Sequence, residues 1–200
     1  MPFFAPTDWY ASVVAAGTCR INAADVYRRQ TVRNRCDIVG ANGVQTLTVP
    51  VTLPQTARGG KCPVREVIVS DHGNWRHVHW QTLASAYGMS PFFDYYADDI
   101  RPFFEERKWK YLFDYNLDIT RKMLELIGAV DIDIQLIDDW CAQPETTAST
   151  VATSSSPTST KPYYQTFQRR HGFVPGMSIL DLLFNEGPES ILKLTACPIG

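Results

Sequence analysis

Seventeen residues near the end of the chain constrain its fold most: Gly172-Phe-Val-Pro-Gly-Met-Ser-Ile-Leu-Asp-Leu-Leu-Phe-Asn-Glu-Gly-Pro188. Ser178 and Asp181 stand three residues apart, as in a capping box, where side-chain oxygens take up the free N–H groups of a first turn. Gly187 supplies the positive φ that ends a helix, and Pro188 suits the first turn of the next. Ile179, Leu180, Leu183 and Phe184 give the helix an apolar stripe. A helix so specified has to dock. It is expected to return to the core and complete it.

Ahead of this segment lies a tract of different composition. Residues 146–160 hold eleven Ser or Thr among fifteen. Such a tract cannot bury enough apolar surface to order itself. The expected organisation is a main α/β region over residues 1–142, a flexible Ser/Thr-rich insert over 143–161, and a C-terminal strand and two helices over 162–200 that pack back on the main region.

The chain has 200 residues, 44% of them hydrophobic and 20% charged, which suits one globular domain. A net charge of -2 lacks the positive field of a general nucleic-acid binder, so no nucleic-acid partner is expected. Five cysteines, Cys19, Cys36, Cys62, Cys141 and Cys197, are widely spaced with no CxxC pair. That pattern argues for free thiols in a reducing compartment and against a zinc ribbon. The first residues carry no secretory signal, and no run reaches the roughly 18 apolar residues of a membrane span. A cytoplasmic protein without a membrane span is expected.

Along the chain, residues 7–16 read as a helix capped by Thr7 and stopped by Gly17. Residues 19–22 read as a strand. Residues 35–39 and 44–51 read as a hairpin turning near Asn42-Gly43. Val64 to Val69 alternates as a third strand of that group. Helices follow from Asn74, from Pro91 to about Arg107 with an interruption at Pro102, and from Asn116 to Ile127. Residues 130–137 alternate as another strand, and Tyr163 to Phe167 as a strand joining the sheet. The fold class is α/β or α+β: a mixed β-sheet with flanking helices in a single domain.

Four constellations carry candidate chemistry. The first is Arg28, Arg29, Arg33, Asn34 and Arg35, since guanidinium forks match phosphate and carboxylate oxygens. A solvated charged edge is the bland alternative. Tyr27 and Gln30 beside the arginines add the mixture found in sugar and nucleotide pockets. The second is Asp71-His-Gly-Asn-Trp-Arg-His-Val-His-Trp80. His77 and His79 would point about 200° apart on a helix, so no metal site is expected, and His79 is the candidate acid or base. The third is Cys36, where neighbouring Arg35 would favour a thiolate; a small buried strand residue is the other reading. The fourth is Asp181, Asn185 and Glu186; Asn185 and Glu186 would face a ligand near the start of the helix that begins around Pro188, while a cap at Asp181 and a turn at Asn185 are the structural alternative. No P-loop, GxGxxG, GxSxG or kinase motif occurs, and the cofactor is left open.

The chain resembles the WbqC-like family of bacterial proteins found with polysaccharide and O-antigen gene clusters. The matching residues are Arg33-Asn34-Arg35, Leu47-Thr-Val-Pro50, Trp75 with His79-Trp80, Ala86-Tyr87, Pro91-Phe92, Tyr164-Gln165 and Phe167, and Phe173 to Pro188. Family members often open on a strand and a Gln-Pro-aromatic stretch; here Phe3-Phe4-Ala-Pro6 stands in its place. The resemblance implies a transferase of O-antigen biosynthesis, adding glycine or another acyl group to an amino sugar. On that reading the partner is a small-molecule substrate such as a nucleotide-linked amino sugar. Arg33, Asn34 and Arg35 would hold its anionic part, with Tyr27, Asn185 and Glu186 nearby. Trp75 and Tyr87 would stack on a sugar or base, and His79 would take a proton. A non-catalytic protein that binds a glycan precursor, or scaffolds an enzyme, is the alternative.

Overall fold

The computed structural model describes residues 1–54, 62–138 and 161–195. Its first element is α1 (Thr7–Ala16), which ends at Gly17 in the left-handed conformation. Thr7 lies inside the helix and Pro6 holds the cap position without a side-chain cap bond; Thr7 N–H donates to Met177 O at 2.9 Å. β1 (Thr18–Asn22) follows and pairs in parallel with β6 (Asp133–Ile137), Cys19 opposite Ile134. β1 buries Cys19 and Ile21 and turns Thr18 and Arg20 outward, the period of two that a half-covered strand requires.

β2 (Arg35–Gly40) and β3 (Gly43–Thr48) form an antiparallel hairpin closed by Ala41-Asn42, with Gly40 opposite Gly43. β4 (Val51–Thr52) pairs with β5 (Ile68–Val69). The fold is thus mixed α/β, with parallel and antiparallel pairing distributed, among the described residues, over three two-stranded ladders.

The helices pack around these ladders. They are α2 (Trp75–Tyr87), α3 (Phe93–Ile100), α4 (Pro102–Glu105) and α5 (Leu112–Leu126) in the middle of the chain, then α6 (Gln168–His171), α7 (Ile179–Glu186) and α8 (Ser190–Thr195). α3 and α4 are separated at Pro102, which takes an early helical position where its missing N–H costs nothing.

α7 is the centre of the core. Ile179, Leu180, Leu182, Leu183 and Phe184 are all fully buried, so the helix is covered on every side. Its first turn is tied to distant segments: Ile179 N–H donates to Ala5 O and Ser178 N–H to Asp37 O, both at 2.8 Å. Ser178 Oγ accepts from Leu180 N–H at 3.3 Å and donates to Phe4 O at 2.9 Å. The Asp181 carboxylate does not complete a capping box, because the Ser178 N–H it would bind is given to β2. α7 packs against α1, α3 and β2, and α8 against α1.

Three elements differ from the sequence reading. Residues 64–66 form a 3-10 turn, leaving only Ile68–Val69 as strand. Val64 N–H donates to Asp25 O and Glu66 N–H to Pro63 O, so neither enters a ladder. Tyr163 to Phe167 is not a strand, because its polar groups are taken by side chains of α7. α5 begins four residues before Asn116, whose buried amide instead donates to Arg33 O at 2.8 Å and Met1 O at 3.2 Å. The Ser/Thr-rich tract of residues 146–160 lies outside the described residues, as do Cys141 and Cys197. Among the described residues, no helix is long and apolar enough to cross a membrane.

Candidate functional site

Asp181 is buried on α7 and accepts three hydrogen bonds. Tyr87 Oη donates at 2.9 Å, Tyr163 Oη at 2.6 Å and Gln165 Nε2 at 2.7 Å. Burial pushes its carboxyl above the usual carboxylate range, and the three donors oppose that shift. Gln165 also exchanges two bonds with the backbone of Val174, at 2.9 and 2.8 Å. Asn185 Nδ2 donates to Asp181 O at 2.7 Å, and its Oδ1 accepts from Thr166 Oγ1 at 3.0 Å. Glu186 Oε1 accepts from Tyr164 N–H at 2.9 Å. Asn185 and Glu186 therefore fasten residues 164–166 onto α7, and Tyr87 ties α2 to the same helix. The Tyr87 ring packs on Phe184, 5.3 Å between centroids, and is 1% exposed, so it has no open face for a sugar.

His79 lies on the inner side of α2, between the rings of Trp75 at 5.2 Å and Phe104 at 6.3 Å. It is 7% exposed, and burial lowers its pKa from 6.5 to about 4. The imidazole is neutral at physiological pH and embedded among aromatic rings. Trp75 is buried too; its Nε1 donates to Ser70 O at 2.8 Å, and Arg76 stacks on its ring at 4.4 Å.

The arginine segment divides by partner. Arg33 forms an ion pair with Asp25, and its carbonyl accepts from Asn116. Asn34 is buried and donates through Nδ2 to Val49 O at 3.0 Å, pinning the start of β2. Tyr27 is buried, with its N–H on Cys62 O at 2.8 Å. Burial raises its phenol pKa, while the charges of Arg29, Arg33 and Arg35 pull it down, so three guanidinium groups bear on one point. Asp25 answers one of them. Arg35 has a buried Nε that finds no hydrogen-bond partner among the described residues.

Arg35 borders a hollow of about 240 Å³ lined also by Gln30, Asp37, Thr46, Ser178 and Phe4. Arg35 and Asp37 alternate along β2 and share one face, opposite Thr48 and Thr46 of β3. The Asp37 carboxylate is exposed and accepts from Thr46 Oγ1 at 2.5 Å. Two non-glycine residues of this wall hold positive φ, Phe4 at 37° and Gln30 at 56°. Such conformations cost roughly 1–3 kcal/mol each and persist where surrounding structure enforces them, often at ligand sites. Cys36 also lines the hollow, but its thiol is no nucleophile. Burial first, then the Asp37 charge, raise its pKa far above that of a free thiol, although Arg35 is its neighbour in sequence.

Of the residues singled out in the sequence, Arg35 reaches this hollow; His79, Trp75 and Tyr87 lie in the aromatic interior, and Asn185 and Glu186 serve the junction with residues 163–166. Motif reading passes over Asp37 and Thr46. Their signal is positional: Asp37 is two residues from Arg35 on a strand, and Thr46 is its cross-strand partner.

The fold and site define a helix-rich mixed α/β protein in which a hairpin-borne arginine and carboxylate border a small polar hollow. The chain belongs to the WbqC-like protein family, whose model matches residues 2–167 and 151–193. It is similar to the uncharacterized protein Rv1507c of Mycobacterium tuberculosis, 25% identical over 202 residues that cover 86% of this chain and 84% of the relative. No solved structure is a significant match.

Proposed function

We propose that this chain acts in bacterial surface-polysaccharide biosynthesis, O-antigen biosynthesis in particular, as a transferase that acylates an amino sugar, with glycine as a candidate acyl group. The observation that carries the reading is the pairing of Arg35 and Asp37 on one strand face at the hollow. Arg35 holds a phosphate or carboxylate oxygen of the substrate. Asp37 faces the amine. As the amine nitrogen attacks the acyl carbonyl, a C–N bond forms, the bond to the donor's leaving group breaks, and Asp37 receives the nitrogen's proton. The base in this reading is Asp37 and not His79, which stands inside the protein.

Binding of a glycan precursor without catalysis is a second reading. The unreactive settings of Cys36 and His79 favour it. The test uses UDP-glucosamine and a glycyl thioester, with release of free thiol as the signal. Turnover that falls about a hundredfold or more in Asp37→Asn supports the transferase. Saturable binding of UDP-glucosamine with no thiol release selects the binding protein, and unchanged turnover in both Arg35→Ala and Asp37→Asn removes the hollow from either role.

A further inference from the structure

The outer face of α2 and the turn of the β2–β3 hairpin enclose a second hollow, of about 390 Å³. Asn42 and Gln45 line it from the hairpin, and His77, Gln81, Thr82 and Ser85 from the helix. His77, Gln81 and Ser85 are spaced four apart and form one stripe, on the side of α2 away from buried Leu83 and Tyr87. Among the described residues, no Asp, Glu, Lys or Arg lines this space, which sets it apart from the Arg35 hollow.

Apart from the His77 imidazole, its polar side chains are uncharged donors and acceptors. A carboxamide presents N–H donors and a carbonyl acceptor side by side, which matches a hydroxyl group that both gives and takes a hydrogen bond. Thr82 spends its hydroxyl on Val78 O at 2.7 Å. Among the described residues, the side chains of Asn42, Gln45, Gln81 and Ser85 spend none. Val78, 55% exposed, adds an apolar patch of the kind the C–H face of a pyranose ring covers.

The lining is also held in place. A Cβ on Gly40 would sit 2.9 Å from Gln45 Nε2 and 3.2 Å from its Cδ. Glycine therefore lets the Gln45 amide lie against the strand, half-buried at the edge of the hollow. From the other side, His171 on α6 contacts Ala41 O at 3.1 Å and braces the turn.

We propose that this hollow binds a neutral, hydroxyl-rich ligand: a pyranose unit, either free or within a glycan. The site is independent of the anion-binding reading at Arg35. Titrations of the full chain followed by 1H–15N correlation spectra test it, with N-acetylglucosamine as the free sugar, chitotriose as the glycan and glucuronic acid as the charged control. Amide shifts confined to residues 40–45 and 77–86 are expected, with dissociation constants of about 1–10 mM, typical of a few neutral hydrogen bonds. Tighter binding of chitotriose than of the monomer assigns the site to a glycan; equal binding assigns it to a single unit. Gln45→Ala and Gln81→Ala should each weaken binding about fivefold. Gly40→Ala, which displaces only the end of a flexible side chain, should do the same, while Arg35→Ala should leave it unchanged. Absence of saturable shifts with both neutral sugars overturns the proposal. So does tighter binding of glucuronic acid, or affinity that neither glutamine variant alters.

Discussion

The carboxylate of Asp181 accepts a hydrogen bond from the phenol of Tyr87 at 2.9 Å, although 94 residues separate the two in sequence. Tyr87 Oη in turn accepts from Val39 N–H at 3.3 Å. With Tyr163 and Gln165 on its other oxygen, Asp181 ties α2, the β2–β3 hairpin and residues 163–165 to α7. Removing it leaves three buried donors without an acceptor. Asp181→Ala should therefore lower the unfolding free energy by about 3 kcal/mol, against about 1 kcal/mol for Tyr163→Phe, measured by urea denaturation. Because burial raises the folded pKa above the ordinary 3.8, the folded state holds this proton more tightly than the unfolded chain. That contribution is complete below 3.8 and is lost as pH rises through the folded value. The stability gap between wild type and Asp181→Asn should thus widen as pH is lowered from 7 toward 4.

His79 behaves in the opposite sense. Its folded pKa is depressed by burial to about 4, below the 6.5 of an exposed imidazole. Its contribution is whole above 6.5 and lost as pH falls toward 4, because the unfolded chain takes up the proton first. Wild type should lose roughly 2–3 kcal/mol more than His79→Phe across that interval. The His79 ring protons should stay unshifted in NMR spectra until pH approaches 4. Titration near pH 6.5 would instead show that water reaches the ring and would restore it as a candidate base.

Much of the scaffold was legible because it rests on local signals. The helix over Thr7–Ala16 with its stop at Gly17, the hairpin around Ala41-Asn42-Gly43, and the apolar run of α7 each follow from capping, turn chemistry or periodicity within a few residues. What the sequence hid depends on partners supplied by distant segments. Tyr163 and Gln165 alternate as a strand would, but the inward groups meet a buried carboxylate and not a ladder. His79 looks titratable in isolation; Phe104, twenty-five positions away, makes it part of an aromatic interior. Arg33 and Arg35 are equivalent in a motif, yet Asp25 pairs with the first and leaves the second at the hollow. The hollow's own residues, Asp37 and Thr46, become visible once the hairpin register is known.

Cys36 tests whether sequence neighbourhood or burial governs a thiol. It is 5% exposed, and burial together with the Asp37 charge outweighs any help from Arg35. At pH 8 its alkylation by iodoacetamide should run at least about a thousandfold slower than that of a free thiol, since only the thiolate reacts and access needs opening of the fold. Mass spectrometry of peptides after a timed pulse gives the rate, and adding urea should raise it in step with global unfolding. Fast labelling of the native protein would mean that the hollow presents this sulfur to solvent.

The turn between α7 and α8 can be probed at one atom. Gly187 has φ 55°, and a Cβ there would fall 2.6 Å from Cδ1 and Cγ of the Phe92 ring. Phe92 cannot withdraw easily, because its N–H donates to Phe184 O at 3.1 Å. Gly187→Ala thus combines a positive-φ backbone with a steric overlap in a packed region, and should cost about 3 kcal/mol. Gly176 is the matched control: its φ is 71°, but a Cβ there meets nothing within 4 Å. Gly176→Ala should cost only the conformational strain, about 1 kcal/mol. The difference between the two urea midpoints isolates the close approach of α7 to Phe92. A double variant, Gly187→Ala with Phe92→Ala, should then lose less than the sum of the single changes, since removing the ring removes the overlap. Strict additivity would place the cost of Gly187→Ala in the backbone alone.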